Sequence, residues 1–205
     1  LVALGYSRPP MVRMMPWIVA GVAILFSIMT VIRNTAWKDN RTLFMTDIVH
    51  SSNSAKLQND LGTLLLDEAM KMTDPVQQQA QLQEALPHLR RAVELHPTYY
   101  DAMLAYGACA YYGKQYDVAS ASYRQALRLY PGDSKSAAGL FYSLQALAPD
   151  QWSKQDSAAA VRTLEEAYRL QPDTTTAARL SEYYRAMGLS QQSMDWDDKA
   201  HGDIR

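Results

Sequence analysis

The sequence predicts an all-α chain: one helix long and apolar enough to cross a bilayer, then an α-solenoid of antiparallel helical hairpins. Three observations carry this expectation. Nineteen consecutive residues, Met14–Ile32, hold no formal charge. Three later segments end alike, each with an alanine five residues before a proline: Ala92 with Pro97, Ala126 with Pro131, and Ala167 with Pro172. Pro97 and Pro131 stand 34 residues apart, and a period of that size marks a stack of two-helix units.

Composition agrees. With 48% hydrophobic and 20% charged residues, the chain has enough apolar material for a core, so it is not wholly disordered. Its 20 basic and 21 acidic side chains nearly cancel. Without a basic run there is nothing to neutralise phosphates, so nucleic acid is not an expected partner. One cysteine, Cys109, rules out an intrachain disulfide and leaves the compartment open.

Taking the elements in order, residues 1–13 read as an extramembrane segment. They begin at Leu1 rather than Met and open on Leu-Val-Ala-Leu, which reads like the tail of an earlier apolar segment in a longer protein. Residues 14–32 form the transmembrane helix, since 19 residues at about 1.5 Å each reach roughly 28 Å, close to the hydrocarbon thickness. Pro16 falls in the first turn, where its missing N–H costs little, and Trp17 sits at interface level. A soluble core helix would rarely be apolar all round, and Thr30-Val31-Ile32-Arg33 offers no small-residue cleavage site. Arg8 and Arg13 before the span face Arg33, Lys38 and Arg41 after it, so charge does not settle its orientation. Residues 33–52 join the span to the solenoid. A short helix with Leu43, Phe44 and Ile48 on one face, or a plain linker helix, fits them equally.

Residues 53–205 carry the repeats, at about 53–98, 99–133, 134–173 and 174–200. In the second, Tyr106-Gly107 opens the first helix, and Ala119, Tyr123, Ala126 and Pro131 mark the other. The small residues sit where helices crowd, Tyr123 fills the gap between them, and the proline stops the second helix. Leu61-Gly62, Ala85, Leu89, Ala92 and Pro97 repeat the pattern in the first unit with about 11 extra residues near Met72 to Pro75. Leu140, Ala160, Leu164, Ala167 and Pro172 repeat it in the third, with about seven inserted around Ala148-Pro149-Asp150-Gln151-Trp152. The fourth, with Leu180, Tyr184 and Gly188, ends in a polar helix over 191–198. A terminal repeat should be polar outside because it caps the stack. The acidic run Asp195-Trp196-Asp197-Asp198 is read as part of that solvated cap.

This pattern resembles the tetratricopeptide repeat (TPR), and the expected fold is a TPR-type solenoid. The resemblance implies that the first helix of each unit lines a concave groove. The candidate partner-binding residues are Lys56 and Asn59 from the first repeat, Asp101, Leu104, Tyr111 and Tyr112 from the second, and Lys135 and Tyr142 from the third. Thr63, Ala108, Ala138 and Gln145 share their positions. Tyrosine suits such a surface because it gives area and a hydroxyl at modest entropic cost; packing between repeats is an equally good use for the same rings. Asn59 and Thr63 stand where the chaperone-tail version of this repeat carries a lysine and an asparagine, so that mode of recognition is not expected.

No catalytic, cofactor or metal site is expected. The histidines, His50, His88, His96 and His201, have no ligand spacing, and no glycine-rich phosphate loop or nucleophile elbow is present. Cys109, between Ala108 and Ala110, reads as core. The expected role is a membrane-anchored scaffold for a protein or peptide, with an assembly subunit of an envelope complex as another reading.

The junction adds a second resemblance. Arg33-Asn34-Thr35-Ala36-Trp37-Lys38-Asp39-Asn40-Arg41-Thr42-Leu43-Phe44, continuing to Asn59-Asp60-Leu61-Gly62, is similar to the passage from last span to repeats in the transmembrane and tetratricopeptide-repeat O-mannosyltransferases and their bacterial relatives. That implies a polytopic parent using a lipid-linked sugar, with the repeats in the lumen or periplasm. The chain lacks the family's upstream spans and its loop with the acidic catalytic residue, so any transferase activity would belong to sequence outside it.

Overall fold

The computed structural model describes residues 10–35 and 39–202. Among them are ten α-helices and no strand. Two units are separable, up to His50 and from Ser51 onward.

The first unit holds α1 (Pro10–Thr35) and α2 (Asn40–His50). None of the 19 residues Met14–Ile32 is buried. The polar side chains within this stretch are satisfied locally: Ser27 Oγ donates to the Ala23 carbonyl at 2.8 Å and Thr30 Oγ1 to that of Phe26 at 2.7 Å. Each hydroxyl is thus bonded to the backbone one turn earlier in its own helix. α2 begins where Asp39 accepts the Thr42 N–H at 2.7 Å, an N-cap bond. Of the junction motif, residues 36–38 lie outside the described residues, as do residues 1–9 of the N-terminal segment.

The second unit is a TPR-type stack of four antiparallel hairpins: α3 (Ala55–Lys71) with α4 (Pro75–Leu95), α5 (Tyr100–Tyr112) with α6 (Tyr116–Leu129), α7 (Ser134–Ser153) with α8 (Ser157–Leu170), and α9 (Thr174–Ala186) with α10 (Ser190–Ala200). Side-chain caps fix several starts. Ser54, Asp74, Asp133, Asp156 and Asp173 each accept a backbone N–H from the first turn, a bond worth about 1 kcal/mol. The prolines fix the stops. His96, Tyr130 and Gln171, directly before Pro97, Pro131 and Pro172, leave the helical region with ψ of 84°, 78° and 101°, as a residue preceding proline must.

Second helices pack against the first helix of the next hairpin, α4 on α5, α6 on α7 and α8 on α9. First helices also touch one another, α3 with α5 and α5 with α7. Between second helices the clearest link is a side-chain bridge, in which the Arg124 guanidinium donates two 2.9 Å bonds to Glu166. The first helices therefore form the inner layer of the stack.

The small residues do what the pattern implied. Ala85, Ala92, Ala119, Ala126, Ala160 and Ala167 are fully buried. A Cβ on Gly62 would lie 2.5 Å from Leu89 Cγ, and one on Gly107 would lie 2.9 Å from Tyr123 Cζ. Tyr123 is pressed from the next hairpin as well, for a Cβ on Gly139 would meet its ring at 2.5 Å.

The two insertions are helix. α3 and α4 run 17 and 21 residues against 13 and 14 for α5 and α6, so the 11 extra residues lengthen both arms of the first hairpin. Lys71 and Pro75 bracket its turn. In the third hairpin the seven extra residues lengthen the first helix, which runs 20 residues against 13 for α5. α7 continues through Pro149 to Ser153, and the turn follows at Lys154 to Asp156, with Gln155 at φ 64°. Proline in a helix interior leaves the carbonyl four residues earlier without its N–H donor. Here that carbonyl belongs to Gln145, and Arg179 Nη1 of α9 donates to it at 3.3 Å. Trp152, at the end of the lengthened arm, stacks on Tyr183 of the fourth repeat with ring centroids 4.0 Å apart.

Candidate functional site

The inner layer places the sequence-predicted residues at two stations. At the first, Lys56 is exposed and donates to Asp60 at 2.7 Å; that hydrogen bond, reinforced by the carboxylate's charge, raises the lysine pKa above its ordinary value. Asn59 is only 8% exposed. Its amide nitrogen lies 3.4 Å from the Tyr99 hydroxyl and 3.5 Å from an Asp60 oxygen, while its own Oδ1 has no donor. Thr63, a turn further on, is half-buried.

The second station is aromatic. Leu104, half-buried, and Tyr111 pack against a core of Ala110, Ala119, Tyr123, Leu140, Phe141, Leu144 and Ala167. Tyr112 is 46% exposed and Tyr142 55%. The rings brace one another: Tyr111 meets Tyr112 edge-on with centroids 5.5 Å apart and Tyr116 at 5.8 Å, and Tyr142 stands edge-on to Phe141 at 5.3 Å. Tyr142 also lies near enough to Tyr111 for their phenols to interact electrostatically. Asp101 and Lys135 are exposed, one in the first turn of α5 and one near the start of α7. Ala108 and Ala138 are half-buried.

Burial pushes the pKa of the Tyr111 phenol up, and it pushes Tyr123 up to about 12. Burial also raises the Cys109 thiol to about 12; the residue is fully buried, and its Sγ donates to the Leu82 carbonyl at 3.5 Å. Such a thiol packs rather than reacts. Among the described residues, no group of three or more His, Cys, Asp or Glu side chains is arranged to hold a metal ion.

Gln145 is drawn away from the inner face, since its Nε2 donates to Thr176 Oγ1 at 3.0 Å and ties α7 to α9. Two members of the aromatic station were not among the sequence-predicted residues. Tyr116 opens α6, and the three-residue turn after α5 carries its ring back over Tyr111. Phe141 is the core neighbour that fixes Tyr142. A following helix that starts on an aromatic after so short a turn was the available signal. Elsewhere, acids that look solvated in sequence hold the end of the stack. Asp197 accepts from Ser181 Oγ at 2.8 Å and from Arg185 Nη2 at 2.9 Å, and Glu165 accepts from the Tyr184 hydroxyl at 2.7 Å.

Hairpins of this geometry, packed through small residues that recur from unit to unit and stand 34 residues apart between the first two, define a TPR-type helical-repeat fold. No family model matches the chain, and no curated protein matches it. Among solved structures it is similar to MamA, at 15% identity over 78% of this chain and 83% of that one with a TM-score of 0.48. It is similar also to residues 41 to the end of MamA from Desulfovibrio magneticus RS-1 (15% identity, 89% and 93% covered, TM-score 0.47). A further similar structure is YrrB, described as a TPR protein with an unusual peptide-binding site (17% identity, 78% and 74% covered, TM-score 0.44).

Proposed function

We propose that this chain is a membrane-anchored TPR scaffold that holds a protein or peptide partner beside the bilayer, through Lys56, Asn59, Asp101, Leu104, Tyr111, Tyr112, Lys135 and Tyr142. The observation that carries the reading is the aromatic station, where rings held by one another and by the core still present about half of two tyrosines to solvent. Fixed rings lose little entropy on binding and bury large area, which is the chemistry of an interface anchor. The anchor is supported by α1. Its span contains nine Ile, Leu, Val and Phe residues, together worth about 3–5 kcal/mol towards insertion. None of these is buried, and the span's hydroxyls are satisfied within the helix. Replacing Tyr111, Tyr112 and Tyr142 together by alanine is expected to abolish partner capture while leaving helicity unchanged. Capture that survives with helicity intact would rule the face out.

The junction supports a second reading, in which this chain is the non-catalytic C-terminal module of a polytopic protein O-glycosyltransferase using a lipid-linked sugar, with its repeats in the periplasm or lumen. Asp39-Asn40-Arg41-Thr42-Leu43-Phe44 opens α2 with Asp39 as its cap, so the shared motif is also a structural start signal. The gene sequence upstream of Leu1 decides this: the reading requires further in-frame spans, and a start codon directly before residue 1 would end it.

A further inference from the structure

We propose that the tyrosine face of α5 and α7 receives a proline-rich partner segment in the polyproline II conformation; this rests on the scaffold reading and narrows its partner to one class. Peptides dock on domains in a few recurring ways, and the chemistry of this face sorts among them. Strand addition needs a sheet edge, and there is no strand among the described residues. Recognition of acidic or phosphorylated segments needs clustered arginine, and none of the inner-face residues of α5 and α7 is an arginine. An amphipathic helix needs a broad aliphatic channel, whereas Leu104 is the one large aliphatic side chain among these positions. What remains is a set of aromatic rings, with the small residues Ala108 and Ala138 between them.

Three features suit polyproline II. Between Asp101 and Lys135 at the helix starts and Tyr142 further along, the face carries no ionised side chain, so its charge complement is an uncharged segment. The hydroxyls of Tyr111, Tyr112, Tyr116 and Tyr142 make no hydrogen bond within the described residues. They are free to donate, and a polyproline II chain has carbonyls with no internal partner to accept. The rings are already braced by edge contacts, and a proline-rich ligand is stiff before it binds, so neither side gives up much freedom.

The test uses the full chain in detergent micelles and fluorescence anisotropy with three labelled peptides of equal length: repeated Pro-Pro-Ala, the same peptide with every proline replaced by alanine, and an acidic peptide. The proline peptide is expected to bind about tenfold or more tighter than the alanine peptide, with no measurable affinity for the acidic one. Tyr112→Phe and Tyr142→Phe, which keep the packing, should each weaken it by about three- to tenfold. The double alanine variant should abolish it with an unchanged circular dichroism spectrum. A proline peptide that fails to bind, that binds no tighter than its alanine counterpart, or that binds independently of Tyr112 and Tyr142 overturns the proposal. Partner capture by the triple alanine variant separately decides the scaffold reading, so loss of capture beside a failed peptide experiment leaves a scaffold with a different ligand.

Discussion

Gly139→Ala should destabilise the repeat unit, although it places alanine where a helix holds glycine. On propensity alone the change is worth about 1 kcal/mol of added stability. The structure reverses the sign. The new Cβ would lie 2.5 Å from Cε1 and Cζ of Tyr123, well inside van der Waals contact, and that ring is only 8% exposed. Its tip cannot swing away freely, because the α5 backbone at Gly107 approaches the same atoms closely enough that a Cβ there would be 2.9 Å away. Overpacking of this kind costs about 1–3 kcal/mol, leaving a net loss of up to about 2 kcal/mol once propensity is credited. Urea unfolding of the full chain in micelles, followed by tryptophan fluorescence and by circular dichroism, measures it. The clash belongs to one ring, so Tyr123→Leu in the Gly139→Ala background should recover part of the loss, giving a coupling energy well above the few tenths expected of independent sites. Gly139→Ala that gains the full ~1 kcal/mol of helix propensity, with no coupling to Tyr123→Leu, would show that α6 and α7 are not nested as described.

Arg179→Ala should cost about 1 kcal/mol by stranding the Gln145 carbonyl, and most of that should vanish in a Pro149→Ala background, where residue 149 regains an N–H for it; a double-mutant cycle in urea reads the difference. Stability should also fall at high pH. Burial, and then the hydrogen bond to Glu165, raise Tyr184 to about 12 from an ordinary 10. A group whose folded pKa is raised contributes in full below the unfolded value and loses that contribution as pH climbs from about 10 through 12. The difference in tyrosinate absorbance between the native chain and Tyr184→Phe should show the late titration, and Glu165→Gln should move it earlier.

The parts of this fold that are legible in sequence are those set by excluded volume. Gly62, Gly107, Ala119 and Ala126 recur because only small residues fit between nested helices, and that constraint acts on residue type directly. Gly139 obeys the same rule, yet it falls where the third repeat shows Leu140-Phe141 rather than a Leu-Gly pair, so only the placement of Tyr123 reveals it. The continuation of α7 through Pro149 depends on a contact that sequence does not display. A proline reads as a break unless something else serves the carbonyl it strands, and the donor, Arg179, is 34 residues away along the chain. The inner-face positions are assigned from repeat register, and that register is the ground on which Tyr112 and Tyr142 are proposed. Register does not say how long side chains resolve their options: Gln145 turns to Thr176, and Tyr116 joins the aromatic station across a turn.

Site-specific photo-crosslinking in the native membrane addresses the central claim most directly. A benzophenone side chain placed at 112 or 142, on the inner face, is predicted to capture one discrete partner, while the same group at the exposed positions Arg128 or Arg162 on the second helices captures little. Equal or stronger capture from 128 and 162 would contradict the account, because it would put the working surface on the outside of the stack.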